Sequence, residues 1–301
     1  MTINCGETPL FPDESRRAAA EDCLSTLLDN ARSRVQQGKV TPTIDLARFR
    51  EELARLTFSE PESISKLLDW TVTNMEIGLV QTTHPRYFGL FNPAPTLPAE
   101  LADRIAAAFN PQICVWSHAP VAVEIENHVI EQICRRVGMP DGSGGHFTSG
   151  GSEANNTAVV CALTSNNADF AEKGVRAYPG QPRIYVSKES HLAWLKIAHQ
   201  LGLGRHAVRL VSTDGHGRMN SEQLKDALQT DIRAGDVPVL IAATAGTTNA
   251  GVVDPLHSCA DIARQFDVWF HVDAAWGGAL VASPKYRGAL DGMERADSIT
   301  I

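Results

Sequence analysis

The sequence predicts an α/β fold: a mostly parallel sheet sandwiched by helices, with an N-terminal helical arm. Three observations carry this expectation. From Gly144 onward, short apolar runs of strand type alternate with amphipathic helical stretches, the rhythm of a parallel sheet covered on both faces. Before residue 80 the periodicity is helical and no strand-type run appears. The chain has 301 residues, 43% of them hydrophobic, which is enough for a large core.

The elements follow in order. "DESRRAAAEDCLSTLLDNARSRVQQG" reads as a helix from an Asp13 cap to a stop at Gly38, and Ser59-Glu60-Pro61-Glu62 has the form of a capping box before "SISKLLDWTVTNMEIGLV". "THPRYFGLFNPAPTLP", rich in Pro, Gly and aromatics, reads as an ordered loop or a boundary, its Tyr87, Phe88 and Phe91 serving either packing or binding. Helices follow at "AELADRIAAAF" and "VAVEIENHVIEQICRRVG", the second ending at Gly138. Strands are expected at "GGHFTS", "RIYVS", "HAVRLVS", "VPVLIAATAG", "VWFHVDAA" and "DSITI". The helices between them are "EANNTAVVCALT", "LAWLKIAHQLG", "SEQLKDALQTDIRAG" and "PLHSCADIARQF". The division is an arm at 1–82 and a large domain at 83–301 that breaks off within its last apolar run.

Composition excludes some classes of partner. A net charge of −8, from Lys+Arg 27 against Asp+Glu 35, gives no general attraction for nucleic acid or an anionic membrane. The six cysteines are scattered without CxxC or metal-type spacing and read as free thiols. No leader pattern and no membrane-length apolar run is evident, so the expected location is cytoplasmic.

Four polar clusters fall where such sheets bind ligands, beyond the carboxyl ends of the strands. In "TSGGSEAN", Gly150 and Gly151 permit close backbone approach. Ser152 offers a hydroxyl and an N-cap, and the helix start offers free N–H groups, which makes either a phosphate cradle or a plain tight turn. The same turn nearly matches a hydrolase nucleophile elbow, but Ala154 replaces the last Gly, and only Asp254 with His257 or Asp267 with His271 remain as partners. In "VSKESHLAW", His191 opens a helix after a strand. In "ATAGTTNAGVVDP", Thr244, Thr247 and Thr248 either line a polar ligand or satisfy the turn. His271-Val272-Asp273 places two side chains on one face of a strand. No further ligand set accompanies them, so no metal is expected. An acid at the end of a buried strand needs a cation.

Taken together, these clusters resemble the pyridoxal-phosphate (PLP) enzymes of the aspartate-aminotransferase fold type, most closely the group II amino-acid decarboxylases, from about His84 to Ile301. The resemblance implies the family's large domain without its smaller C-terminal domain. It implies pyridoxal 5′-phosphate as cofactor, with Gly150, Gly151 and Ser152 at its phosphate, His191 stacked on its ring, Asp273 at its ring nitrogen, Ala275 against the other face and Thr244 near the edge. His191 and Asp273 would carry the catalysis. His271 is either a support for Asp273 or structural. Phe91 and Asn92 would face an amino-acid substrate, although Leu90 stands where aromatic-acid enzymes of the family carry tyrosine. "NPQICVWSHAPVAVEIE" resembles a segment that reaches a neighbouring subunit, which implies a homodimer.

The sequence departs from the family at one decisive point. The family's cofactor lysine lies in a His-Lys motif just after the strand matching "ADSITI", and Lys188, Lys196 and Lys285 do not match that position. The expectation is a truncated chain of decarboxylase type without turnover. The rivals are an aldehyde lyase of the sphingosine-phosphate-lyase kind and a non-catalytic binding or dimerisation protein derived from a decarboxylase.

Overall fold

The computed structural model describes residues 12–57, 59–90, 92 and 94–301. They form two compact units, one reaching to Arg104 and one from Ile105 to Ile301.

The first unit contains α1 (Glu14–Val35), α2 (Leu46–Ala54), α3 (Ile64–Gly78) and the start of α4 (Leu97–Phe109). Each of the first three helices begins at a polar side chain that accepts otherwise unpaired N–H groups: Asp13, Asp45 and Ser63. The cap of α3 is Ser63, not the expected Ser59. A start at Ser59 would force Glu60, which precedes Pro61, into helical backbone, a conformation disfavoured before proline. Arg34 pairs in fork geometry with Glu76 at 2.7 and 2.8 Å, and Phe49 stacks on Trp70 at 5.6 Å. Arg32 bonds Glu100 at 2.6 Å, which ties α4 to α1. The structural division therefore falls within α4, later than the change of composition at 82/83.

The second unit contains α5 (Pro120–Val137), α6 (Gly151–Asn166), α7 (Phe170–Lys173), β1 (Pro182–Ser187), α8 (Ala193–Gln200), β2 (Val208–Val211), α9 (Ser221–Arg233), β3 (Val237–Thr244), α10 (Leu256–Phe266), β4 (Trp269–Asp273) and β5 (Ser298–Thr300). α5 ends at Gly138 in the left-handed conformation, as expected. The five strands are parallel, in the order β2-β1-β3-β4-β5. The order in which strands are added changes side between β1 and β3, the switch point where doubly wound sheets open a crevice.

Alternation along the strands builds two cores. Ile184, Val186, Leu240 and Ala242 pack with Val159 and Leu163 of α6 and with Trp194 and Ile197 of α8. Tyr185, Ile241, Ala243, Phe270 and Val272 pack on the other face with Leu224, Leu228, Cys259 and Ala263 of α9 and α10.

The expected strand at "GGHFTS" is absent. Residues 144–149 are unpaired by any strand, and two of their N–H groups go to carboxylates instead: Phe147 to Glu126 at 2.9 Å and Ser149 to Glu153 at 2.8 Å. An apolar run becomes a strand only where a ladder receives its backbone.

Candidate active site

The register of β3, β4 and β5 sets Thr244, Asp273 and Thr300 in one row at the carboxyl ends of their strands. Beyond that row lies a cavity of about 180 Å³, lined by Gly151, Ser152 and Asn155 of α6, by His191, by Thr244, Gly246 and Thr248, and by Asp273, Ala275 and Trp276.

Asp273 is the buried carboxyl of this cavity, 6% exposed. Its Oδ2 accepts the Asn155 amide at 2.8 Å and its Oδ1 accepts the Ala275 N–H at 3.3 Å. Burial raises its pKa above the ordinary carboxylate value, while those two hydrogen bonds and the nearby His191 pull in the opposite direction. No lysine or arginine lines the cavity, so among the described residues this acid has no guanidinium or ammonium partner within the site.

His271, two residues earlier on the same face, is wholly buried. Its Nδ1 meets the Ser298 hydroxyl at 2.8 Å, its Nε2 meets Asn155 Oδ1 at 3.0 Å, and its ring lies edge-on to Trp194. Burial pushes its pKa down to about 3, so the imidazole is neutral at physiological pH. It is not among the residues that line the cavity, and it connects to Asp273 only by way of Asn155.

The first turn of α6 faces the cavity. Its N-cap is Gly150 rather than the expected Ser152, because Glu153 and Ala154 already donate to the Gly150 carbonyl. Glu153 turns back to take the Ser149 N–H and hydroxyl, at 2.8 and 2.6 Å. The Ser152 hydroxyl forms no hydrogen bond among the described residues, and Gly151 and Ser152 both line the cavity. A free hydroxyl beside a helix N-terminus is suited to an anion. Gly151 lets the start of α6 pack closely on the turn after β4, since a Cβ there would stand 2.9 Å from Ala275 Cβ.

The two remaining strand ends complete the wall. His191 follows β1, and its Nδ1 accepts the Ala193 N–H at 3.2 Å, which fixes the ring at the start of α8. Thr244 bonds Ser190 through its hydroxyl at 2.9 Å. The turn after β3 is held by Asp254, which accepts the N–H groups of Thr244 at 2.8 Å and Met219 at 2.6 Å, and burial raises that carboxyl to about 6. Thr247 accepts the Val252 N–H at 3.1 Å and so serves the turn, whereas Thr248 lines the cavity. Gly246 has φ +99, and a Cβ there would lie 2.9 Å from the Gly277 nitrogen, so only glycine lets the turns after β3 and β4 touch.

Of the residues singled out in the sequence, Gly151, Ser152, His191, Thr244, Asp273 and Ala275 come together at this cavity, with Gly150 at the turn that leads into it. Asn92 lies in the first unit, where its side chain accepts the Tyr87 hydroxyl at 3.1 Å, and Phe91 lies outside the described residues. The elbow reading fails, since neither His257 nor His271 bonds Ser152. Sequence reasoning passed over Asn155. Its signal was a polar side chain at i+4 from Gly151, in line with the buried Val159 and Ala162.

The pyridoxal-dependent decarboxylase conserved domain matches residues 49–301. Cysteine sulfinic acid decarboxylase of Mus musculus is 39% identical over 243 residues, which cover 80% of this chain and 48% of that protein. The acidic amino acid decarboxylase of Xenopus tropicalis is 34% identical over 256 residues, covering 80% and 50%. The chain thus spans about half the length of the curated relatives it matches. The crystal structure of mouse CSAD in apo form superposes with a TM-score of 0.88 at 33% identity, over 95% of this chain and 60% of that one.

Proposed function

The chain belongs to the pyridoxal-dependent decarboxylases, and from that premise we propose that its cavity is the cofactor pocket of an enzyme that removes CO2 from an L-amino acid. The observation that carries the reading is Asp273: a buried carboxyl, free of lysine and arginine partners within the site, lining a small cavity together with a helix N-terminus. A pyridinium nitrogen at one end and a phosphate at the other would satisfy both features.

When bound, pyridoxal phosphate supplies a protonated ring that accepts the electron pair left as the α-carboxylate departs. The chain's own residues do the rest. Asp273 holds the proton on the ring nitrogen, because its negative charge favours the pyridinium form. Gly150, Gly151 and Ser152 receive the phosphate. His191 and Ala275 would confine the ring, and Thr244 would border it. His191, fixed through Nδ1, has Nε2 available for a proton near the reacting carbon.

The substrate class is a short acidic amino acid such as cysteine sulfinate, in line with the relatives named above. Leu90, at the place of the aromatic-acid enzymes' tyrosine, agrees with this choice. Cysteine sulfinate, aspartate and tryptophan should be compared in a CO2-release assay of the whole protein, and preference for tryptophan would overturn the assignment. The 301-residue chain taken alone should give no turnover, because no lysine lines the cavity. Borohydride reduction with pyridoxal phosphate checks this: a stable adduct on one specific lysine, with amine formed from an amino acid, would refute it.

Two copies are proposed to pair through the apolar surface around α4 and α5, where Phe109 is 80% and Val121 72% exposed and Ile105, Ile113, Trp116 and Ile125 are also open. Phe109→Glu with Val121→Glu should leave a monomer in sedimentation. A cytoplasmic location is proposed from the free thiols Cys23, Cys114, Cys134, Cys161 and Cys259. Among the described residues no helix is long and apolar enough to cross a membrane.

A further inference from the structure

Behind the cavity wall the polar side chains form one directed chain of hydrogen bonds, and its direction can be worked out from the end groups. Trp269 Nε1 is only a donor, and it donates to Ser298 Oγ at 2.8 Å. Ser298 is therefore free to give its own proton to His271 Nδ1, 2.8 Å away. His271 Nε2 then carries the ring proton and donates to Asn155 Oδ1 at 3.0 Å. The Thr300 hydroxyl donates to the same oxygen at 2.7 Å. With its carbonyl oxygen occupied by two donors, Asn155 has only its amide nitrogen left for Asp273 Oδ2, at 2.8 Å.

The opposite amide orientation fails on the same geometry. It would set the Asn155 oxygen 2.8 Å from a carboxylate oxygen, acceptor against acceptor, with no proton between them unless Asp273 is protonated. It would also bring the Trp269 and His271 N–H groups together onto Ser298, leaving the serine proton without a place in the chain. Asn155, His271, Asp273 and Thr300 are all at most 6% exposed, so the chain is shielded from bulk water except where Asn155 and Asp273 border the cavity.

We infer that Asn155 is a positioning residue of this site: His271 and Thr300 lock its amide so that it donates to Asp273, favouring the anionic form of that carboxyl and leaving its other oxygen directed to the ring nitrogen of a bound cofactor. Asn155 also borders the cavity, but its effect on the ring nitrogen is transmitted through Asp273. The role at the ring nitrogen rests on the pyridoxal-phosphate reading, whereas the direction of the chain does not. His271, at the centre of the chain, transmits orientation and not a proton, since its position two bonds behind the carboxylate is sealed from the cavity.

The test uses pyridoxamine 5′-phosphate, which carries the same ring and phosphate and needs no lysine. Asn155→Ala should raise the Asp273 carboxyl titration, followed by carbon-13 NMR, by about one pH unit, and weaken pyridoxamine phosphate about tenfold at pH 8. Thr300→Val should give a smaller change in the same direction, and Thr300→Ser should restore the parent values. In an Asp273→Asn background, Asn155→Ala should add no further loss of binding. A loss of equal size there would show a merely structural role and overturn the inference. Nitrogen-15 NMR of His271 in the unaltered chain tests the direction even where a variant fails to fold: the proton should sit on Nε2, and a proton on Nδ1 overturns it. If the unaltered chain does not bind pyridoxamine phosphate, the cofactor reading fails, while the titration and the tautomer still decide the directed chain.

Discussion

Asp231 and Asp273 are both buried carboxylates on the two sides of one sheet, and they are treated in opposite ways. Asp231, on α9, receives the Tyr185 hydroxyl at 2.9 Å and a two-pronged bond from Arg209, so its charge is cancelled inside the chain. Asp273 receives an amide and one backbone N–H, and faces a cavity without lysine or arginine. Removing a charge from water is costly unless a partner compensates it. An acid that carries its own guanidinium therefore holds the fold together. An acid left without one at the wall of a cavity is suited to a cation brought by a ligand, the role proposed for Asp273.

Four measurements break or sharpen that contrast, beginning with the largest effect. Asp273→Asn should weaken pyridoxamine phosphate at least about a hundredfold, roughly 3 kcal/mol, by removing the partner of the pyridinium. The same variant should unfold in urea no more easily than the parent, because it removes an uncompensated buried charge. A large loss of stability would erase the distinction from Asp231.

The second concerns pH. His271 is depressed from 6.5 to about 3, so the unfolded chain binds its proton first as pH falls. Its contribution is complete above about 6.5 and is lost progressively toward pH 3. Asp254, raised to about 6, acts in the opposite sense, its contribution being complete below the ordinary carboxylate range and lost as pH rises through 6. The two partly cancel in a simple pH curve, so the informative quantity is the difference from His271→Gln. The parent's advantage over that variant should shrink by about 3 kcal/mol between pH 7 and pH 4 in urea titrations. A constant difference would mean that the imidazole titrates normally.

Third, Asp231→Asn should cost about 2 kcal/mol of stability, since Arg209 and Tyr185 lose a charged acceptor, while pyridoxamine phosphate binding in the folded fraction stays unchanged. Fourth, Gly151→Ala should cost about 1 kcal/mol or somewhat more, as the new methyl meets Ala275 and the start of α6 must shift. Calorimetry would register this as a small fall in Tm.

Much of the contrast was legible before the structure. Asp273 stood out because an acid follows the apolar run "VWFHV", and Gly151 and Ser152 because two glycines and a serine separate the helix from what precedes it. The partners of Asp273 were not legible in this way. Asn155 lies in "SEANNTAVV" beside a second asparagine, Asn156, and only the rotation of α6 against β4 decides which of the two is buried. Ser298 and Thr300 belong to a run that reads simply as apolar, and their meeting with His271 and Asn155 depends on the β4–β5 register.

Local chemistry therefore determined most of the alternation of helix and strand, the caps at Asp13, Ser63 and Gly138, the three polar strand ends and the glycine turn before α6, because each depends on neighbours a few residues apart. Tertiary structure decided the rest. Residues 144–149 have strand composition but no ladder to join. The directed chain from Trp269 to Asp273 joins residues more than a hundred positions apart, and such contacts exist only once the sheet has fixed its register.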